Sequence, residues 1–187
     1  MNLNHAYTLY RDRPLGEAIA ELESALVGFP KSPFGVCIGA TFLSDVTNLS
    51  NFMENFASLF PELSALYIEL NGFTINTKQW HADLFGFRDY LGSEDWDWLA
   101  QWIAESDEPC RLEGMDEVRR VFEKYYSLHE PLIENSKPIA EALVVLRFNE
   151  SVIKAVQRAR GTSALLRNRV VISNAHDYDF FQFIDSL

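Results

Sequence analysis

Near Leu63 the spacing of apolar residues changes period, and that change constrains the fold more than any other feature of the chain. Upstream, Leu15, Ile19, Leu22 and Leu26 recur every three or four residues within Pro14 to Val27, with Glu17, Glu21 and Glu23 on other faces. Such spacing predicts an amphipathic helix, with a proline near its first turn and Gly28 past its end. Leu49, Phe52, Met53, Phe56, Leu59 and Phe60 repeat the spacing from Val46 until Pro61 intervenes, and Ser44 or Asp45 is placed to cap this second helix. Downstream, Ala65 to Leu70 and Phe73 to Thr77 are extended runs on either side of Asn71-Gly72, a dipeptide suited to a tight hairpin turn. A third extended run follows from His81 to Phe87.

The remaining segments complete the expected architecture. Phe34 to Phe42, set off by Pro30 and Pro33, reads as a short buried strand, and Asp116 to Leu128 as a helix with acids in its first turn. Pro131 and Pro138 bracket a connector, after which the apolar run to Phe148 is a helix or a buried strand, the abundance of Ala, Glu and Leu favouring helix. Asn149 to Ser151 offer a cap for a helix from Val152 to Arg160, stopped by Gly161. Arg169 to Ser173 reads as a strand, and Asn174 to Phe183 as a second extended piece. Strands that neighbour one another in groups favour α+β over a doubly wound α/β sheet. The expectation is one α+β domain over residues 1–187, with a mainly antiparallel sheet, an Asn-Gly hairpin and about four to five packed helices.

Bulk composition supports a folded core and excludes several classes of function. Of 187 residues, 48% are hydrophobic and 13% aromatic, enough apolar area to offset chain entropy. The first 21 residues mix charged and polar side chains where an export signal needs an apolar core of about seven or more. No run approaches the roughly 20 apolar residues that span a bilayer. Two cysteines, Cys37 and Cys110, lack any CxxC partner, and a cytoplasmic location is expected. The net charge of −11 is unevenly placed: residues 1–118 carry 6 Lys and Arg against 19 Asp and Glu, while residues 119–187 carry 10 against 8. An acidic surface repels phosphate backbones and speeds encounter with basic partners, so the expectation is a basic protein partner and no direct nucleic-acid binding or membrane association. Acidity for solubility alone is the plainer explanation.

Motifs for catalysis are sparse. The glycines never assemble into a dinucleotide or phosphate loop, and no nucleophile elbow occurs. On a strand, His81 and Asp83 share a face, so with His176 and Asp179 they could ligate a metal or form a base with its orienting carboxylate, which suggests a metal-assisted hydrolase as one alternative. Arg158, Arg160, Arg167 and Arg169 form a basic cluster able to pair an anion, or simply a solvated helix end. No cofactor is expected.

The segment Ser93 to Glu108 carries six acids, three tryptophans and no basic residue. Glu94, Asp95, Trp96, Asp97, Trp98, Trp102 and Asp107 combine rigid contact residues with steering charge, the composition of a binding hot spot, although packing of the tryptophans into the core is the commoner use. Within Tyr67 to Phe122, the paired Asp-Trp at 95–98 and the run Leu112-Glu113-Gly114-Met115-Asp116-Glu117 resemble small acidic bacterial proteins of the immunity type, over less than a third of the chain. Such proteins are encoded beside polymorphic or contact-dependent toxins and neutralise them by binding. The resemblance implies a blocking protein with no catalytic residues, facing a cationic toxin domain, often a nuclease. Two expectations compete with the hydrolase: a non-enzymatic binding protein using the segment 94–108, and a structural subunit of a larger assembly. The oligomeric state is left open.

Overall fold

A computed structural model of the chain describes residues 13–73, 76–92, 96–178 and 182–184. Four α-helices occur among them: α1 (Leu15–Val27), α2 (Val46–Leu59), α3 (Asp116–Tyr125) and α4 (Pro131–Thr162). Six strands form one mixed sheet: β1 (Ala65–Asn71), β2 (His81–Phe87), β3 (Ala104–Glu105), β4 (Cys110–Arg111), β5 (Val170–Ala175) and β6 (Gln182–Ile184). The strand order is β3-β2-β1-β5-β6, with β4 also pairing β2. The single parallel pairing joins β1 to β5, and the four others are antiparallel. The chain is therefore α+β with a mainly antiparallel sheet.

Alternation along the strands sorts their side chains into two layers. Leu66, Ile68 and Leu70 of β1, Ala82 and Leu84 of β2, and Val171 and Ala175 of β5 point into the main core. There they meet Leu22 and Leu26 of α1, Met53 and Phe56 of α2, Phe122 of α3 and much of α4. All four helices thus contribute to one face of the sheet. Helix α4 runs through the middle of this layer, and every residue from Ile139 to Leu146 is buried. A helix enclosed on all sides has no polar face, so the spacing of its apolar residues carries no 3.6-residue signal. Its one carboxylate there, Glu141, lies against Tyr126, Tyr178 and Lys137, and burial raises its pKa above the usual carboxylate value despite those partners, making it a weaker acid.

Several sequence expectations are corrected. The connector and the separate helix after Asn149 are one helix of 32 residues that passes through Pro138. Asn149 and Ser151 do not cap it: Asn149 Oδ1 accepts from Ser173 Oγ at 2.9 Å across to β5, and Ser151 Oγ donates to the Arg147 carbonyl at 3.1 Å. Gly161 does not stop it either, because the helix continues to Thr162. Phe34 to Phe42 is no strand. Pro33–Cys37 is a turn of 3-10 helix, started by Ser32 Oγ accepting from Phe34 N–H at 3.1 Å, and Phe34, Cys37 and Phe42 plug the core without joining the sheet.

Asn71-Gly72 does not form a two-residue hairpin turn. Strand β1 ends at Asn71, Phe73 takes φ 54° and sends its ring among Trp80, Phe122 and Tyr178, and the antiparallel return is β2. Residues 74 and 75 of the expected strand lie outside the described residues, and the described remainder of Phe73 to Thr77 makes no ladder. Burial of the Phe73 ring outweighs the strain of a positive φ at a bulky residue. Gly72 allows a close approach here, since a Cβ would sit 3.3 Å from the Trp80 indole, a tight contact.

Asp45, expected as a cap for α2, serves elsewhere. Its buried carboxylate accepts from Glu113 N–H at 3.1 Å and Gly114 N–H at 2.9 Å, pinning the entry to α3 against the start of α2. A Cβ on Gly114 would stand 2.7 Å from Ser44 Oγ and 2.8 Å from both Asp45 Oδ2 and the Thr41 carbonyl. Because one of those atoms is backbone, Gly114→Ala forces the loop apart and is expected to lower the urea unfolding free energy by about 2 kcal/mol. Substitution of the crowd-free Gly161, inside α4, to Ala provides the control and should keep stability or raise it by up to about 1 kcal/mol.

Candidate functional site

The sheet face opposite the helices is where the sequence-nominated residues converge. Register places them in rungs across β2, β1 and β5. Phe87, Ala65 and Val170 form one rung, Phe85, Tyr67 and Ile172 the next, Asp83, Glu69 and Asn174 a third, and His81 with Asn71 a fourth, where His176 joins through its backbone N–H to the Leu70 carbonyl at 3.1 Å. Half of this face is aromatic and half is polar.

The loop between β2 and β3 closes the aromatic half. Residues Asp97–Ala100 form a turn of 3-10 helix that turns Trp98 inward, 6% exposed, with ring centroids 4.9 Å from Phe87 and 5.7 Å from Tyr90. The indole N–H donates to the Gly92 carbonyl at 3.0 Å. Trp98 is therefore core of a second cluster with Ala65, Tyr67, Phe87 and Ile172, and it offers no surface to a partner. Trp96 is half-buried against the same cluster. Trp102 differs: it is 45% exposed, its ring meeting Phe85 at 5.3 Å, and next to it Ile103 is 49% exposed. Leu91, on the same loop, is 65% exposed. Asp97 and Asp107 are exposed, while Glu94 and Asp95 lie outside the described residues.

The polar half holds two histidine-carboxylate pairs. His81 Nε2 stands 3.3 Å from Asp83 Oδ2, which also accepts from Asn71 Nδ2. His176 Nδ1 stands 3.1 Å from Glu69 Oε2, with its Nε2 3.6 Å from Asp177, and Glu69 Oε1 accepts from the Tyr67 hydroxyl at 3.0 Å. Strand β1 lies between His81 and His176, so His176 joins Glu69 of β1, which the sequence did not nominate, and not His81 or Asp83. Asp179 lies outside the described residues. Among the described residues no three His, Cys, Asp or Glu side chains are grouped to hold a metal.

A cleft of about 330 Å³ opens between the two halves, lined by Tyr67, Glu69, Phe85, Leu99, Trp102 and the chain from Ala175 to Tyr178. Tyr67 and Phe85 stack along its aromatic side, with centroids 6.0 Å apart and planes 25° apart. Glu69 keeps only 14% of its side chain exposed, yet two of its neighbours hold it toward the cleft.

Two other nominated groups are spent on structure. Buried Arg169 donates to the carbonyls of Leu63, Leu165, Phe60 and Pro61, and buried Arg160 to those of Leu166, Arg169 and Ile184. Neither guanidinium is free to take an anion. Both cysteines are free and buried; burial pushes Cys37 up to about 12, and burial with the Asp45 charge pushes Cys110 up to about 11, so both stay thiols at neutral pH.

Asp83 raises the pKa of His81 above 6.5 by hydrogen bond and charge, against a lowering by burial. For His176, burial pulls down but the hydrogen bond and charge of Glu69, with Asp177, raise the value overall. A histidine whose folded pKa exceeds its unfolded one contributes stability below about pH 6.5 that is lost as pH climbs through the folded value. Urea midpoints should therefore fall from about pH 6 to about pH 8, and the double variant His81→Asn, His176→Asn should flatten that fall. No protein-family model matches the chain, and no curated protein or solved structure is significantly similar to it.

Proposed function

We propose that this chain is a non-enzymatic binding protein of the inhibitor or immunity kind, acting in the cytoplasm on a basic protein partner. The observation that carries the reading is the loop over the sheet: Leu91, Trp102 and Ile103 stand about half exposed or more, on a stretch of chain that also exposes Asp97, Asp107 and Glu108. Leu91 and Ile103 line one shallow cleft together with Arg88 and Asp89. An exposed tryptophan on a stretch of mostly acidic charge matches the composition of a hot spot with steering charge. The overall charge of −11 adds a long-range pull on cationic surfaces and a repulsion of nucleic acid. Among the described residues no helix is long and apolar enough to cross a membrane.

The test is capture from source-cell lysate by the immobilised chain, with the captured protein identified and then purified for kinetics. A partner with a basic surface should be retained at low salt and weakened at about 0.5 M salt, where the Debye length falls to about 4 Å. The double variant Trp102→Ala, Ile103→Ser should raise the Kd for that purified partner by about thirtyfold or more, in line with loss of about 2 kcal/mol at a hot spot. Unchanged affinity of this variant, or a partner lacking basic character, would sink the reading.

A further inference from the structure

We infer that the cleft between the aromatic and polar halves of the open sheet face is a receptor for a single arginine side chain of the basic partner, its stem lying along Phe85 and Trp102 and its guanidinium at Glu69. This assignment rests on the reading of the chain as a binder of a basic protein, and it names the chemistry that one part of the surface recognises.

The first argument is the sign of the lining. Among the described residues the cleft carries two carboxylates, Glu69 and Asp177, and no lysine or arginine. An anionic ligand would meet only repulsion from these groups, whereas a cation is attracted. The second is the state of Glu69. Its carboxylate accepts from the Tyr67 hydroxyl on one oxygen and lies by His176 on the other, which fixes its plane before any ligand arrives. Each carboxylate oxygen has a further acceptor site, so the group retains capacity for a forked donor. Once His176 has shed its proton, which its raised pKa shifts to higher pH, the negative charge of Glu69 has no permanent cation paired with it among the described contacts.

The third argument separates arginine from lysine. Tyr67, Phe85 and Trp102 form a continuous row of rings with successive centroids 6.0 and 5.3 Å apart, leading to the acid rung. A planar guanidinium both stacks on aromatic faces and forks to a carboxylate, while an ammonium does neither as well. A volume of about 330 Å³ suits one long side chain with its flanking backbone.

The experiment titrates N-acetyl-arginine amide into the full-length ¹⁵N-labelled chain, with N-acetyl-lysine amide and N-acetyl-citrulline amide as probes of charge and shape. The arginine derivative is expected to shift amides of β1, β2 and the Ala175 to Tyr178 segment saturably, with a Kd in the millimolar range. Citrulline, isosteric but uncharged, should bind at least about tenfold more weakly, the loss of one charge-assisted pair. Glu69→Gln should erase the preference for arginine over citrulline, and Trp102→Ala, at an exposed site that leaves folding intact, should weaken arginine by about fivefold. Absence of saturable shifts at the cleft, or equal response to arginine and citrulline, overturns the assignment. If the purified basic partner binds the Glu69→Gln variant as tightly as the parent, the cleft assignment fails while the binding-protein reading stands. Because Trp102 belongs to the cleft as well as to the exposed apolar patch, the Trp102→Ala, Ile103→Ser variant tests the broader reading and Glu69→Gln tests the cleft.

Discussion

Enclosure of α4 on all sides is the constraint from which the rest of the architecture follows. A helix buried from Ile139 to Leu146 must be covered by other elements everywhere along that stretch. The sheet covers one side, and α1 and α2 pack against others. Among the described residues that arrangement gathers the α-helices on one face of the sheet and leaves the opposite face without a helical layer. An open face rich in Tyr67, Phe85, Phe87 and Ile172 cannot stay in water without cost, since each such side chain gains roughly 1.5–3 kcal/mol on burial. The tryptophan loop is the answer to this half of the face, and its coverage stops where the rungs turn polar.

The division of the open face is a matter of register. Because β1 lies between β2 and β5, a residue on each of three strands contributes to every rung, and the change from Phe85-Tyr67-Ile172 to Asp83-Glu69-Asn174 happens within one two-residue step. An acid and an aromatic side chain are thereby brought side by side without any irregular backbone. Shifting one strand by a single residue would send these groups to the core face, so the same pairing that stabilises the sheet also assembles the cleft. The backbone cost of the strand-borne part of the site is consequently low, whereas Asp177, on the turn after β5, takes φ 62°.

Legibility in the sequence followed burial pattern. Helices α1, α2 and α3 are one-sided, so their apolar spacing declared them, and α3 ends within a few residues of its expected limit. Helix α4 is not one-sided, and two prolines with a cluster of cap-type residues at Asn149 to Ser151 disguised its continuity; those polar side chains bond across the core or back along the helix. The Asn71-Gly72 signal gave the right strand end and the wrong partner, because a turn dipeptide reports local preference while Phe73 is captured by distant rings. At the site, alternation was enough to pair His81 with Asp83. Glu69 was missed since its significance arises from strand order, which places His176 beside it from 107 positions away. The composition of Ser93 to Glu108 did not distinguish Trp98 from Trp102: the first is buried by the 3-10 turn and the second stays exposed beyond it.

The outer edge of β2 has a further consequence. Two dipeptide strands, β3 and β4, occupy its ends, and between them Ser106 closes the gap, its N–H donating to the Leu84 carbonyl at 2.9 Å and its Oγ accepting from Leu84 N–H at 3.1 Å. The chain then bulges outward through Asp107 and Glu108, both exposed. A sheet margin stitched by such short, charged pieces presents no continuous row of free amides and carbonyls to an incoming extended segment. Recruitment of another polypeptide by strand addition is thereby blocked on this side, and a partner of the kind proposed here would have to be held by side chains.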